Sequence, residues 1–182
     1  MQRIHRRNVG CFRMKDELEA KLQRDFPFMQ QNKVESEHNI YRKWGCECSS
    51  GWYQLIHDLC QEIADRYAED EASIDIVIQQ VKEKFASLRF YYSYEDAACP
   101  IQAFDCLEDG ISIRFHPENT RNDEKTKKLR EDIAQIVRGY EEKSKTVCEN
   151  CGQAGNIRMD MPWIRTLCNG CYENYLQKIQ KK

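Results

Sequence analysis

No apolar run in this chain approaches the roughly 18 residues that cross a bilayer, and nothing at its start has the apolar core of a secretory signal. A cytoplasmic setting is therefore expected, with no membrane partner. Histidine is scarce: His5, His38, His57 and His116 are the only four, and residues 143–182 hold none. That excludes the histidine-based nuclease motif that some cysteine-knuckle proteins carry. A glycine-rich phosphate loop, an H-E-x-x-H pair and the H-x-E plus C-x-x-C combination of the deaminases are also missing. Glu83, in the run QVKEKF, reads as an exposed helix position between Lys82 and Lys84, not as a catalytic acid. The sequence offers no nucleophile with a base and no carboxylate pair, so an enzyme is not expected.

Cysteine, by contrast, is plentiful, with ten in 182 residues. In a reducing compartment that number argues for metal ligands and buried thiols, not a disulfide framework. Cys148, Cys151, Cys168 and Cys171 form C-x2-C-x16-C-x2-C. Each C-x2-C pair can turn two sulfurs onto one ion, and two pairs complete a closed four-thiolate site for one structural Zn2+. Gly152 suits the exit of the first knuckle, and Asn169 with Gly170 suits the second. Residues 156–159 and 163–167 could pair as a hairpin between them. Tyr172, Tyr175, Leu176 and Ile179 then recur at helical spacing. Knuckle, hairpin, knuckle and helix make a treble-clef-like or zinc-ribbon-like module, whose folding should depend on the metal. Changing Cys148 or Cys168 to Ser is expected to release the metal and unfold this tail while leaving the main domain's second helix folded.

The rest of the chain reads as an α+β fold, a mainly helical domain with a small antiparallel sheet, over residues 14–143. Residues 1–13, with Arg3, Arg6, Arg7 and Arg13, form a basic, disordered arm, and the metal-binding module spans 144–182. Leu18, Leu22 and Phe26 mark a first helix ended by Pro27. Residues 29–50 are polar and irregular. A second helix from about Trp52 to Ala68 buries Leu55, Ile56, Leu59, Ile63 and Tyr67. From about residue 73 the pattern mixes alternating Ile74, Ile76 and Ile78 with a helical recurrence of Val77, Val81, Phe85 and Leu88, and is read as a helix to about Ala86. LRFYYSY (88–94) is a strand whose antiparallel partner is ISIRF (111–115), entered through Asp109 and Gly110. A last long helix runs from about Asp123 to Lys143, with Leu129, Ile133, Ile136, Val137 and Tyr140 inward.

Several stretches carry a resemblance: GWYQLI with Leu59 and Cys60, then QVKEKF with LRFY, then CENCG, and finally Trp163 to Cys168 (WIRTLC). The chain resembles a family of small proteins carried by bacteria, phages and prophages. Asp25 to Met29 (DFPFM) fits the family's usual beginning, which would fall near Met14. The resemblance covers most of residues 14–175, implies this domain layout, a bacterial or phage origin and the zinc site, and supplies no catalytic residue.

Charge is unevenly spread. Residues 1–45 hold ten Lys/Arg against six Asp/Glu, residues 46–110 four against fourteen, and residues 143–182 seven against three. An acidic middle thus lies between a basic head and a basic tail, which points to a macromolecular partner. Asp58, Glu62, Asp65 and Glu69 form an acidic stripe on the second helix that could face a basic protein, as in an immunity or counter-defence inhibitor of a nuclease. Arg158, Arg165 and Lys178 in the tail could instead contact nucleic-acid phosphates, with Trp163, Tyr172 and Tyr175 stacking on bases; the alternative for Trp163 is a place in the small core over the metal. A protein is favoured over nucleic acid. Cys46, Cys48, His57 and Cys60 (C-x-C-x8-H-x2-C) are weighed as a second metal site, against buried thiols and a solvated histidine. Cys11, Cys99 and Cys106 read as unassigned thiols.

Overall fold

The computed structural model describes residues 13–32, 39–96, 103–105, 112–114 and 123–180. Its helices are α1 (Asp16–Asp25), α2 (Ile40–Trp44), α3 (Tyr53–Glu69), α4 (Glu124–Ser144) and α5 (Asn169–Gln180). Its strands are β1 (Cys46–Glu47), β2 (Ile76–Lys84), β3 (Ser87–Tyr94), β4 (Ala103–Asp105), β5 (Ser112–Arg114), β6 (Asn156–Arg158) and β7 (Arg165–Leu167). The architecture is mixed, with helices around small sheets. Among the described residues no helix is long and apolar enough to cross a membrane.

Helix α3 is amphipathic as its spacing requires: Leu55, Ile56, Leu59, Cys60, Ile63 and Tyr67 are buried along one face. Burial of each large apolar side chain stabilises by about 1.5–3 kcal/mol relative to exposure. Helix α4 begins at Asp123, whose carboxylate accepts the Thr126 N–H at 2.8 Å, and lays Leu129, Ile133 and Val137 on the same core. α1 contributes Leu22 and stops before Pro27.

Residues 73–86 are not a helix. Ile76–Lys84 of this stretch form β2, the centre of a sheet ordered β1-β2-β3, parallel to β1 and antiparallel to β3. The reason is a register shift between Ile78 and Gln80. Ile76 and Ile78 are buried in strand alternation, the inserted residue moves the next buried position to Val81, and the apolar spacing then imitates a helix. Phe85 and Ala86, at φ 51° and 59°, make the left-handed turn into β3 that glycine or asparagine would normally occupy.

The strand LRFYYSY is present as β3, but it pairs with β2. Of ISIRF, Ser112–Arg114 form β5, which pairs with β4, Phe104 opposite Ile113. Asp109 and Gly110 lie outside the described residues. The free edge of β3 is covered by α4: Leu88 N–H donates to Ser144 Oγ at 2.8 Å and Phe90 N–H to Glu141 Oε1 at 2.9 Å. An edge strand's unpaired donors are thereby satisfied inside one chain.

Within 29–50, the described residues (29–32 and 39–50) hold more order than their polarity suggested. Met29 and Tyr41 are buried, Asn39 caps α2 by accepting the Arg42 N–H, and Cys46 and Cys48 sit in the core. Of the expected basic arm, only Arg13 is described, 3.7 Å from Glu19.

Candidate metal centre

Two short backbone devices shape the cysteine cluster. In the first knuckle the Cys148 N–H donates to Gln153 O (2.7 Å) and Gly152 N–H to Cys148 O (2.8 Å), and the turn closes through Gly152 at φ 77°. That φ is left-handed, where a side chain would be strained. In the second, the Cys171 N–H points at Cys168 Sγ (3.4 Å) as α5 begins. Between them, β6 and β7 form a hairpin with Ile157 opposite Thr166. The sulfurs of Cys148, Cys151, Cys168 and Cys171 all lie within 4.8 Å of one another, and Cys151 Sγ is 3.6 Å from Cys168 Sγ. Thiolates tetrahedrally bound at about 2.3 Å stand about 3.8 Å apart, so the donor set fits one metal ion.

Electrostatics agree with that fit. The Cys171 N–H lowers the Cys168 thiol to about 7, while burial, followed by the neighbouring sulfurs, raises that of Cys171. Four sulfurs this close cannot all ionise without a cation among them. Cys148 and Leu167 are fully buried and Met161 nearly so, with Tyr172 and Tyr175 packed at the margin.

The cluster is fastened to the rest of the chain through its first knuckle. Glu149 and Arg165 are 1% and 3% exposed, and Arg165 Nε donates to Glu149 Oε2 at 2.9 Å. Glu149 Oε1 accepts the Ser49 N–H (3.1 Å), and a second Arg165 nitrogen donates to Ser49 Oγ (3.1 Å) and Asn150 Oδ1 (2.8 Å). Gly51 N–H donates to Glu149 O, and Trp52 Nε1 to Val147 O, both at 2.8 Å. A Cβ on Gly51 would stand 2.5 Å from Cys148 O and Cys151 N, so the two backbones touch where only glycine fits. At the other end of the hairpin Thr166 Oγ1 donates to Ala86 O (2.8 Å). The motifs GW, CENCG and IRTL therefore meet in space. Sequence reading had marked the cysteines and missed Glu149, Ser49 and the burial of Arg165; the glutamate inside a tight C-x2-C was the available signal.

Other expected site residues are placed differently. Arg165, expected at a phosphate, is buried against Glu149. Arg158 donates to Asn169 Oδ1 (2.6 Å) and stacks on Tyr172. Lys178 is exposed on α5. Trp163 is not part of the core over the cluster: it is 57% exposed and donates its indole N–H to Glu83 Oε2 at 2.7 Å. Glu83 in turn is no exposed helix position. It is half-buried at the end of β2, its other oxygen accepts the Ala86 N–H, and desolvation raises its pKa above the usual carboxylate value.

Among the described residues the four C-terminal cysteines are the one group whose ligand atoms come within that mutual distance. Cys46, Cys48 and Cys60 are fully buried thiols whose ionisation burial opposes, and His57 turns to Asp25 (3.6 Å) and the Phe26 ring. The structure does not assemble them as a second centre, because the imidazole stays on the partly exposed flank while the thiols enter the core. His5, His38, His116, Cys11, Cys99 and Cys106 lie outside the described residues. The stripe Asp58, Glu62, Asp65 and Glu69 runs along α3. Asp58 and Asp65 accept from Gln54 and Gln61, and Glu69 is 3.9 Å from Arg66.

Fold and site define a mixed helix and small-sheet protein in which four neighbouring cysteines could hold a metal ion. No protein-family profile, no curated protein and no solved structure matches the chain.

Proposed function

We propose that Cys148, Cys151, Cys168 and Cys171 hold one structural Zn2+ in a treble-clef-like module, and that this cytoplasmic protein acts by binding a macromolecular partner. Four thiolates leave no open coordination position, so the metal's role is to fold and dock the module, not to activate water. The observation that carries the reading is the Glu149–Arg165–Ser49 junction, which fixes the metal knuckle against the start of α3. The metal thereby supports the helix that carries the acidic stripe.

A protein is the preferred partner. Arg165 is consumed by the junction and Arg158 by Asn169 and Tyr172, which removes two of the cations a nucleic-acid surface would use. The carboxylates of α3 remain at the surface. In a bacterial or phage setting, the partner would be a basic nuclease or defence factor, and this chain its inhibitor. Nucleic acid remains the second reading because Trp163 exposes its ring, held in place by Glu83, as a base-stacking residue would.

Immobilised full-length protein, challenged with host lysate before and after nuclease treatment, separates the two. A basic protein retained after nuclease supports the first reading, and capture that disappears with nuclease supports the second.

A further inference from the structure

Gly139 lies inside α4, where glycine costs about 1 kcal/mol relative to alanine. Contact explains the glycine at position 51, but a Cβ at Gly139 would meet nothing within 4 Å. No packing constraint excludes a side chain there. What the bare backbone leaves open is a groove of about 550 Å3, bordered by Glu62, Asp132, Ile136, Gly139, Tyr140 and Lys143.

The groove has an apolar floor and a polar rim, with Glu62 on its α3 side. Ile136 and Tyr140 are partly buried and pack on the main core. Burial, followed by the nearby Glu62 carboxylate, pushes the Tyr140 pKa up to about 12. Asp58, Glu62, Asp65 and Glu69 line α3. Of the cations, Arg66 is spoken for by Asp70 and Asp132, each at 3.0 Å. Lys143 rests over the Tyr140 ring, about 16 Å along α4 from Asp132 at 1.5 Å per residue. The groove's own lining thus carries Glu62, the Arg66-paired Asp132 and Lys143, and its negative charge lies on the α3 side, at Glu62 and the neighbouring carboxylates of the stripe.

We infer that the groove between α3 and α4 anchors a basic amphipathic helix of a protein partner. An apolar residue of that helix rests on Ile136 and Tyr140 above Gly139, and its arginine or lysine side chains reach Glu62 and the other α3 carboxylates. A helix laid into a groove supplies both kinds of contact from one face and its flank. The inference rests on the protein-binding reading above and assigns it a location.

The probe is a short synthetic helical peptide with leucine on one face and arginine beside it, titrated into full-length, metal-loaded protein. Binding is read by fluorescence anisotropy and by the Gly139 amide resonance. The leucine–arginine peptide is expected to bind and to shift that resonance. Gly139→Met, which fills open space with a better helix former, should keep the metal and hold or raise the Tm while weakening binding about tenfold or more, the loss expected when an anchor is denied its pocket. Glu62→Arg provides a second variant at an exposed position and should weaken binding comparably. The inference is overturned if a serine–arginine peptide binds as well as the leucine–arginine one, if both variants bind normally, or if an oligonucleotide shifts the Gly139 resonance in the peptide's place. Normal binding by Gly139→Met together with loss in Asp58→Asn/Asp65→Asn would remove the groove and keep the acidic-face reading. Failure of the basic peptide to bind at all removes both.

Discussion

Replacing Glu149 by alanine should be among the most damaging changes outside the cysteines themselves. The carboxylate and its partner Arg165 are almost wholly buried, with a 2.9 Å ion pair between them. Truncating one side of such a pair strands the other charge, at about 3–5 kcal/mol. The Ser49 N–H also loses its acceptor, worth about 1–3 kcal/mol when buried. Ser49 Oγ and Asn150 Oδ1 still accept from the guanidinium, which holds the total to about 3–5 kcal/mol, a large share of the 5–15 kcal/mol that stabilises a typical domain. Urea unfolding of the metal-loaded protein, followed by circular dichroism and by metal accessible to a colorimetric chelator, measures it. The midpoint should fall with little change in slope, and metal should be lost earlier than in the wild type. Glu149→Leu combined with Arg165→Met, which exchanges the pair for apolar volume, should recover most of the loss. A cost below about 1 kcal/mol, the worth of an exposed ion pair, would refute the reasoning, as would a double variant less stable than Glu149→Ala.

Gly51→Ala should cost about 1–3 kcal/mol by overpacking, because the added methyl meets backbone atoms of the knuckle that cannot rotate away; equal stability in thermal unfolding would show that the junction yields. Chelation should reach beyond the tail: Gly51 donates to Glu149 O and Trp52 to Val147 O, so their hydrogen exchange should accelerate along with that of Gly152, whereas unchanged exchange at positions 51 and 52 would uphold the simpler expectation of an unfolding tail beside an intact α3. Glu83 has a folded pKa above its unfolded one, so the folded state holds its proton more tightly and the group's contribution, full below the unfolded pKa, is lost as pH rises through the folded pKa. Glu83→Gln should therefore remove a decline in stability on going from acid pH toward neutrality, and a variant with the wild-type pH profile would contradict that.

Much of this was legible in the sequence where a single periodicity operated. Helices α1, α3 and α4 fall within a few residues of their apolar stripes, and the four cysteines converge as their spacing required. β2 was hidden because its bulge shifts the buried positions from Ile78 to Val81, and a two-residue repeat with one insertion looks helical over so short a run. The pairing of ISIRF was unreadable for a different reason, since nothing local to a strand specifies which edge it joins. The junction was missed because Glu149 and Arg165 are charged, and composition places such residues at the surface until their partner is known. Trp163 erred the other way: Met161 and Leu167 fill the small core, leaving the indole outside to reach Glu83.

Elemental analysis of the purified full-length protein, beside its Cys168→Ser variant, bears most directly on the proposed metal centre. One zinc per chain, lost in the variant, is the predicted result. A wild-type protein without zinc, or a variant that keeps one tightly bound equivalent, would contradict the four-thiolate assignment and the proposed function with it.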